Sequence, residues 1–147
     1  MVRWIWWTMD VMHQISQKTF KMHVKTLGQN HMRSDTSYTK GLFAEFIARM
    51  YLRFHGYRIV CSRYITGRNT NRAEIDIIAR HKNTLVFIEV KNRSSIQNAW
   101  DAITPHQAVR LRRAAETYIA RHRWMGDARF DVIFVCAHRV HWIKNAI

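Results

Sequence analysis

From Thr39 the chain carries a helical pattern. Phe43, Phe46, Ile47, Met50 and Phe54 recur at the spacing of one helix face, and Gly56 stands where a C-terminal cap would follow. Tyr57 to Tyr64 reads as a short strand, and Thr66-Gly-Arg-Asn-Thr-Asn-Arg72 as a polar, basic loop. Ala73 to Arg80 and Thr84 to Lys91 are both rich in β-formers, with His81-Lys-Asn83 between them, which predicts a hairpin. In its second strand Leu85-Val-Phe-Ile88 is apolar on both faces, the pattern of a strand covered from two sides. Thr104-Pro105-His106-Gln107 forms a capping box with proline at the first helical position. Ala108, Leu111, Ala115 and Tyr118 or Ile119 then mark an amphipathic helix ending near His122. Phe130 to Ala137 and Val140 to Lys144 predict a further strand pair. The order α-β-β-β-α-β-β places the chain in the α/β class, as an α+β mixed sheet flanked by helices.

Residues 1–38 lack this clarity. Trp, Met, His and Lys are scattered with weak periodicity, and Gly28-Gln-Asn30 and Ser34-Asp-Thr-Ser37 read as loops. Two readings stand: a flexible basic N-terminal arm, or an over-extended gene start, with Met9, Met12, Met22 and Met32 as later starts. The apolar stretch before Asp10 is shorter than a secretory h-region and no small-residue cleavage site follows, so the expectation is no signal peptide. The domain is expected over residues 39–147. No apolar run reaches the roughly 18 residues of a membrane span, and no internal repeat is present.

Composition adds a core and a partner class. The 147 residues suit one domain, and a hydrophobic fraction of 48% with six Trp, seven Phe and five Tyr argues against disorder. Lys and Arg number 24 against 10 Asp and Glu, a formal net charge of +14. Such a surface attracts polyanions, nucleic acid first and an anionic membrane surface second. Cys61 and Cys136 lie far apart in apolar runs, which predicts buried free thiols in a reducing, cytoplasmic setting. The nine His include no helical i, i+4 pair, so no zinc site is expected. Trp100, Trp124 and Trp142 are read as packing residues rather than base-stacking platforms.

The candidate chemistry sits on the hairpin. With Lys82-Asn83 as a two-residue loop, Asp76 falls directly opposite Glu89, and directly opposed Cβ atoms are about 5 Å apart. Two carboxylates so close repel, and one takes a proton unless a cation lies between them. A hard divalent ion with oxygen ligands resolves the conflict. Lys91 shares the strand face of Glu89. An ammonium beside two carboxylates and a metal suits phosphodiester hydrolysis, by orienting the attacking water or stabilising charge in the transition state. An ordinary cross-strand salt bridge is the competing reading. It is weakened by the setting, because Glu89 and Lys91 end a strand otherwise apolar on both faces, where unpaired charge is costly.

Several segments together resemble a known family. Gly41-Leu-Phe-Ala-Glu45, Ala48, Tyr51-Leu52, Gly56-Tyr57, Ala73-Glu-Ile-Asp-Ile-Ile-Ala79 and Leu85-Val-Phe-Ile-Glu-Val-Lys-Asn-Arg93 resemble the bacterial YraN-type family. That family has the restriction-endonuclease-like PD-(D/E)XK fold. Thr104-Pro105, the arginine-rich helix after it, Arg129-Phe-Asp131-Val132 and Asn145-Ala146 extend the resemblance over residues 39–147. It implies that Asp76 and Glu89 are metal ligands for Mg²⁺ or Mn²⁺ and that Lys91 is the catalytic lysine. It further implies that Glu45 reaches the same site from the first helix and that the Val90 carbonyl is a further ligand. The sequence departs at Ala73 where Gly is usual, at Tyr64 where Asn is common and at Gln107 where Lys is common. Ala73 matters only where that position needs positive φ. Gln107 removes a phosphate contact and leaves a supporting role behind the ligands.

Around this centre, Glu74 is open between a carboxylate supporting the ligands and an ion-pair partner of Arg63 or Arg72. Arg68, Arg72 and Arg93 on adjoining loops, and Arg110 with Arg113 on one side of the later helix, are candidate nucleic-acid contacts. The expected function is a metal-dependent endonuclease-like protein that binds and hydrolyses DNA. The alternative is a non-catalytic nucleic-acid-binding module of the same fold. A membrane-surface or ribosome-associated basic protein is favoured only by residues 1–38. The sequence leaves the oligomeric state open, a homodimer included.

Overall fold

The structure, a computed structural model, describes residues 35–67, 72–93, 103–136 and 139–147. Helix α1 (Asp35–Phe54) leads into strands β1 (Arg58–Thr66), β2 (Ala73–His81) and β3 (Thr84–Asn92). Helix α2 (Pro105–Arg121) and strands β4 (Asp127–Cys136) and β5 (Arg139–Ile143) follow. The five strands form one sheet in the order β1-β2-β3-β4-β5. All neighbours are antiparallel except β3 and β4, which run parallel. A parallel pair needs a crossover, and α2 lies in it. The mixed sheet with a helix on each face agrees with the restriction-endonuclease-like core that the motifs imply. The N-terminal segment set apart in the sequence lies, up to residue 34, outside the described residues.

Each helix covers one face. Ala44, Ala48 and Leu52 of α1 pack on Ile77, Ala79, Val86, Ile88, Ile133 and Val135. Leu111, Ala114, Ala115 and Tyr118 of α2 pack on Ala73, Ile75, Ile78, Leu85 and Phe87. Strand β3 therefore gives Val86 and Ile88 to one core and Leu85 and Phe87 to the other, as its unbroken apolar run predicts. Burying a Val, Leu, Ile or Phe side chain contributes about 1.5–3 kcal/mol, so this strand is among the chief stabilising elements.

Helix ends follow their sequence signals. Tyr57 N–H donates to the Leu52 carbonyl at 3.0 Å and Gly56 N–H to that of Arg53 at 3.0 Å, with Gly56 at φ 79°. This is a Schellman cap, and Tyr57 and Leu52 supply its hydrophobic contact. The end of α2 repeats the pattern without glycine: Arg123 takes φ 50° while Trp124 N–H bonds the Ile119 carbonyl. Helix α1 begins at Asp35, before the expected Thr39, because Asp, Thr and Ser favour a first turn as readily as a loop. Strand β4 begins at Asp127 rather than Phe130, because Thr84 to Val86 of β3 pair with Asp127 to Arg129.

One buried charge fastens the C-terminal half. Asp131 is 1% exposed and accepts from Arg129 Nε at 3.0 Å, Trp142 Nε1 at 2.8 Å and Asn145 N–H at 3.1 Å. Arg129 also donates to the Tyr57 hydroxyl at 2.9 Å, joining β4 to the start of β1. A buried carboxylate is tolerated only when its lone pairs are filled, as here.

Candidate active site

The β2–β3 ladder runs from His81↔Thr84 to Ile77↔Ile88 and stops there. The expected register holds over those pairs, but Asp76 and Glu89 are not ladder partners. Beyond Ile88 the Asp76 carboxylate replaces a strand acceptor, taking the Val90 N–H on Oδ2 at 2.7 Å. Two irregularities accompany this. The β1–β2 pairing passes from Ser62↔Ile77 to Tyr64↔Ile75 without pairing Arg63 and Asp76, and Arg63 has φ 56°. The alternation of β2 also breaks: Ala73 and Ile75 face α2, whereas Ile77 and Ala79 face α1. Such interruptions re-aim side chains. Here the break falls on Asp76.

A cleft of about 490 Å³ opens at this point. Arg63, Glu74, Asp76 and Glu89 line it from the strands, and Thr104, His106, Gln107 and Arg110 from the start of α2. Glu89 is held hard. Its Oε1 accepts from Lys91 Nζ at 2.6 Å and from Gln107 Nε2 at 2.7 Å. The capping box is thus only half used. Thr104 Oγ1 accepts the Gln107 N–H at 3.2 Å, but the Gln107 amide turns to Glu89. Burial is the first cause that pushes the Asp76 carboxyl up to about 7, with the Glu89 charge next; the Val90 N–H and Lys91 oppose them.

Glu45 stands behind this group, on α1. Its Oε2 is buried and accepts no hydrogen bond; Arg49 lies 3.9 Å away and Arg63 4.0 Å. Burial raises its pKa against the pull of Arg63 and Arg49, with Glu74 and Glu89 adding to the rise. Of the two alternatives left open for Glu74, the ion pair with Arg63 and Arg72 is formed. It pairs with Arg63 at 3.0 Å and Arg72 at 3.9 Å, and it lines the cleft beside Asp76.

The expected basic contacts separate. Arg110 lines the cleft, and its Nη2 donates to the Arg72 carbonyl. Arg72 and Arg113 are exposed and outside the lining. Arg93 is turned to the backbone, its Nη1 donating to the Asn92 carbonyl at 3.1 Å. Arg68 lies outside the described residues, as does Trp100. Ala73 is not at positive φ, so its replacement of glycine carries no backbone cost there. Arg63 and His106 are cleft residues that the sequence reading did not place in the site. Nothing in the local pattern around Arg63 signals its positive φ.

The donor chemistry suits a hard divalent cation. Asp76 and Glu89 offer two carboxylates in one cleft, the Val90 backbone is fixed beside Asp76, and Glu45 adds an oxygen without a hydrogen bond. Among the described residues no group of three or more carboxylate, imidazole or thiolate side chains is drawn into a finished cage. Mg²⁺ does not require one, since it is commonly bound through one or two carboxylates with water and phosphate oxygens completing the shell.

A family model described as uncharacterised protein family UPF0102 matches residues 44–135. The chain belongs to this family. It is the YraN-type, PD-(D/E)XK-like family that the motifs resemble. The UPF0102 protein of Agrobacterium fabrum is 39% identical over 115 residues, covering 77% of this chain and 90% of the relative. The UPF0102 protein of Paramagnetospirillum magneticum is 34% identical over 103 residues, 69% of this chain and 80% of the relative. A Shewanella UPF0102 protein is 39% identical over 110 residues, 72% and 96%. The family match spans Glu45, Asp76, Glu89, Lys91 and Gln107.

Proposed function

We propose that this protein is a Mg²⁺- or Mn²⁺-dependent endonuclease that binds DNA and hydrolyses its phosphodiester bonds in the cytoplasm. The observation that carries this reading is the meeting of Asp76, Glu89 and Lys91 at the point where β2 and β3 part. Asp76 and Glu89 would hold the ion, with the Val90 carbonyl and Glu45 as further oxygen donors. When bound, such an ion lowers the pKa of water and polarises a phosphoryl oxygen. Gln107 keeps Glu89 in place through its 2.7 Å bond. The Lys91 ammonium, held on Glu89, is positioned to stabilise charge developing on the phosphoryl oxygens. Arg110, on the cleft wall, supplies a phosphate contact. The free thiols of Cys61 and Cys136 suit a reducing compartment. Among the described residues no helix is long and apolar enough to cross a membrane.

A second reading is a DNA-binding module without chemistry. It is favoured by the closed Lys91–Glu89–Gln107 bonding and by the lack, among the described residues, of a finished carboxylate cage. Acids facing a polyanion oppose that reading, because without a metal they repel phosphate. The two are separated by incubating the protein with linear, nicked, flapped and four-way DNA in Mg²⁺ or Mn²⁺, beside a Lys91→Ala variant. Metal-dependent cutting lost by about 10²-fold or more in the variant is expected, the scale on which removing one transition-state contact acts. Tight, salt-sensitive binding with no cutting of any substrate would establish the module instead.

A further inference from the structure

The acids of this cleft already hold a resident cation. Arg63 takes φ 56°, outside the β-region of its strand, and lines the cleft. There it bonds Glu74 Oε1 at 3.0 Å, stands 4.0 Å from Glu45 Oε2 and donates to the Tyr38 hydroxyl at 3.3 Å. Asp76 and Glu89 line the same cleft. A fixed positive charge among carboxylates raises the cost of bringing in a divalent ion, because the two cations repel through a partly desolvated space. The same side chain lines the cleft and is 40% exposed, so a phosphate entering the cleft could reach it, and its planar fork suits two phosphate oxygens.

We infer that Arg63 couples metal binding to phosphate binding: without DNA it neutralises Glu74 and Glu45 and opposes the ion, and with DNA it turns to the phosphate and releases those acids. Arg63 acts on the ion through the carboxylates and on the DNA by direct contact. The inference rests on the proposed metal site. Its signature is a pair of effects of opposite sign. Removal of the charge tightens metal binding in the free protein and weakens DNA binding. A residue that merely braced β1 would weaken both.

Arg63→Asn is the informative variant, since asparagine accepts positive φ more readily than most residues and drops the charge. Full-length wild type and variant are titrated with Mn²⁺ by calorimetry, alone and with a short duplex, and their melting temperatures compared. The variant is expected to bind Mn²⁺ about three- to ten-fold more tightly in the absence of DNA. Its plot of log affinity for the duplex against log salt should be shallower by about 0.9, the loss of one phosphate contact. By linkage, DNA should improve Mn²⁺ binding in wild type and do so less in the variant. Should wild type bind Mn²⁺ while the variant binds it equally or less well, the coupling role is wrong and the metal site survives. Should neither bind Mn²⁺, the metal site is wrong and the inference falls with it.

Discussion

Asp76 is where the residue-scale physics is sharpest. Its carboxyl titrates near 7, well above the roughly 3.9 of an unfolded chain, because burial and the Glu89 charge both penalise its ionised form. The folded state therefore binds the proton more tightly than the unfolded state. The stability this contributes is full below about pH 4 and is lost as pH rises through about 7. Asp76→Asn removes the charge yet keeps an oxygen for the Val90 N–H. In metal-free buffer the variant should be more stable than wild type at pH 8, by on the order of 2 kcal/mol, with the gap closing toward pH 4. Thermal melts across that range, with EDTA present, measure it; a variant less stable than wild type at pH 8 would show that the carboxylate is not strained by its surroundings.

At the scale of elements, the turn into β4 is a docking point for the β2–β3 hairpin. Asp127 N–H donates to the Asn83 carbonyl at 2.9 Å, Trp124 Nε1 to the Asp127 carbonyl at 3.0 Å, and the Arg80 guanidinium lies 4.9 Å from the Trp124 ring. Gly126 permits this approach, since a Cβ there would collide with the Asn83 carbonyl and the Trp124 ring. Gly126→Ala should therefore cost about 1–3 kcal/mol, the usual penalty of overpacking. Urea titration would register it as a lower midpoint, and an unchanged midpoint would mean that the turn relaxes freely. The same contacts explain why β4 starts three residues earlier than its own hydrophobicity suggests. Asp127, Ala128 and Arg129 become strand because β3 supplies their partners.

For the molecule as a whole, the excess of 24 Lys and Arg over 10 Asp and Glu governs encounter. Were all five arginines that the sequence offers as contacts to meet phosphates, affinity for a random duplex would fall by about two to three orders of magnitude between about 50 and 200 mM salt, and by less if only the cleft arginines did. Fluorescence anisotropy at several salt concentrations tests this, and a flat response would remove DNA as the partner. Of the ten acids, Glu74, Asp76 and Glu89 line one cleft in this basic molecule, and Glu45 lies within 4.0 Å of the Arg63 that lines it. The electrostatic pattern is therefore a general attraction for polyanions with one local exception, and the exception is the candidate site.

Much of this was legible in the sequence because it depends on neighbours along the chain. The apolar run Leu85–Ile88 marks a doubly covered strand, Thr104-Pro105 starts a helix, and Gly56 ends one. Glu89 and Lys91 share a face by strand periodicity alone, and local motifs carry the family resemblance. Tertiary structure decided the remainder, because it depends on segments distant in sequence. It set β3 parallel to β4 and turned the Gln107 amide from its own cap to Glu89. It seated Asp131 among Arg129, Trp142 and Asn145, and brought Glu45 within ion-pair range of Arg63. Above all it ended the hairpin ladder one pair short of Asp76 and Glu89, so that Asp76 holds the Val90 N–H in place of a strand carbonyl. Periodicity can assign a side chain to a face. It cannot say where a ladder stops, because that depends on which through-space partner satisfies each backbone group once the chain is packed.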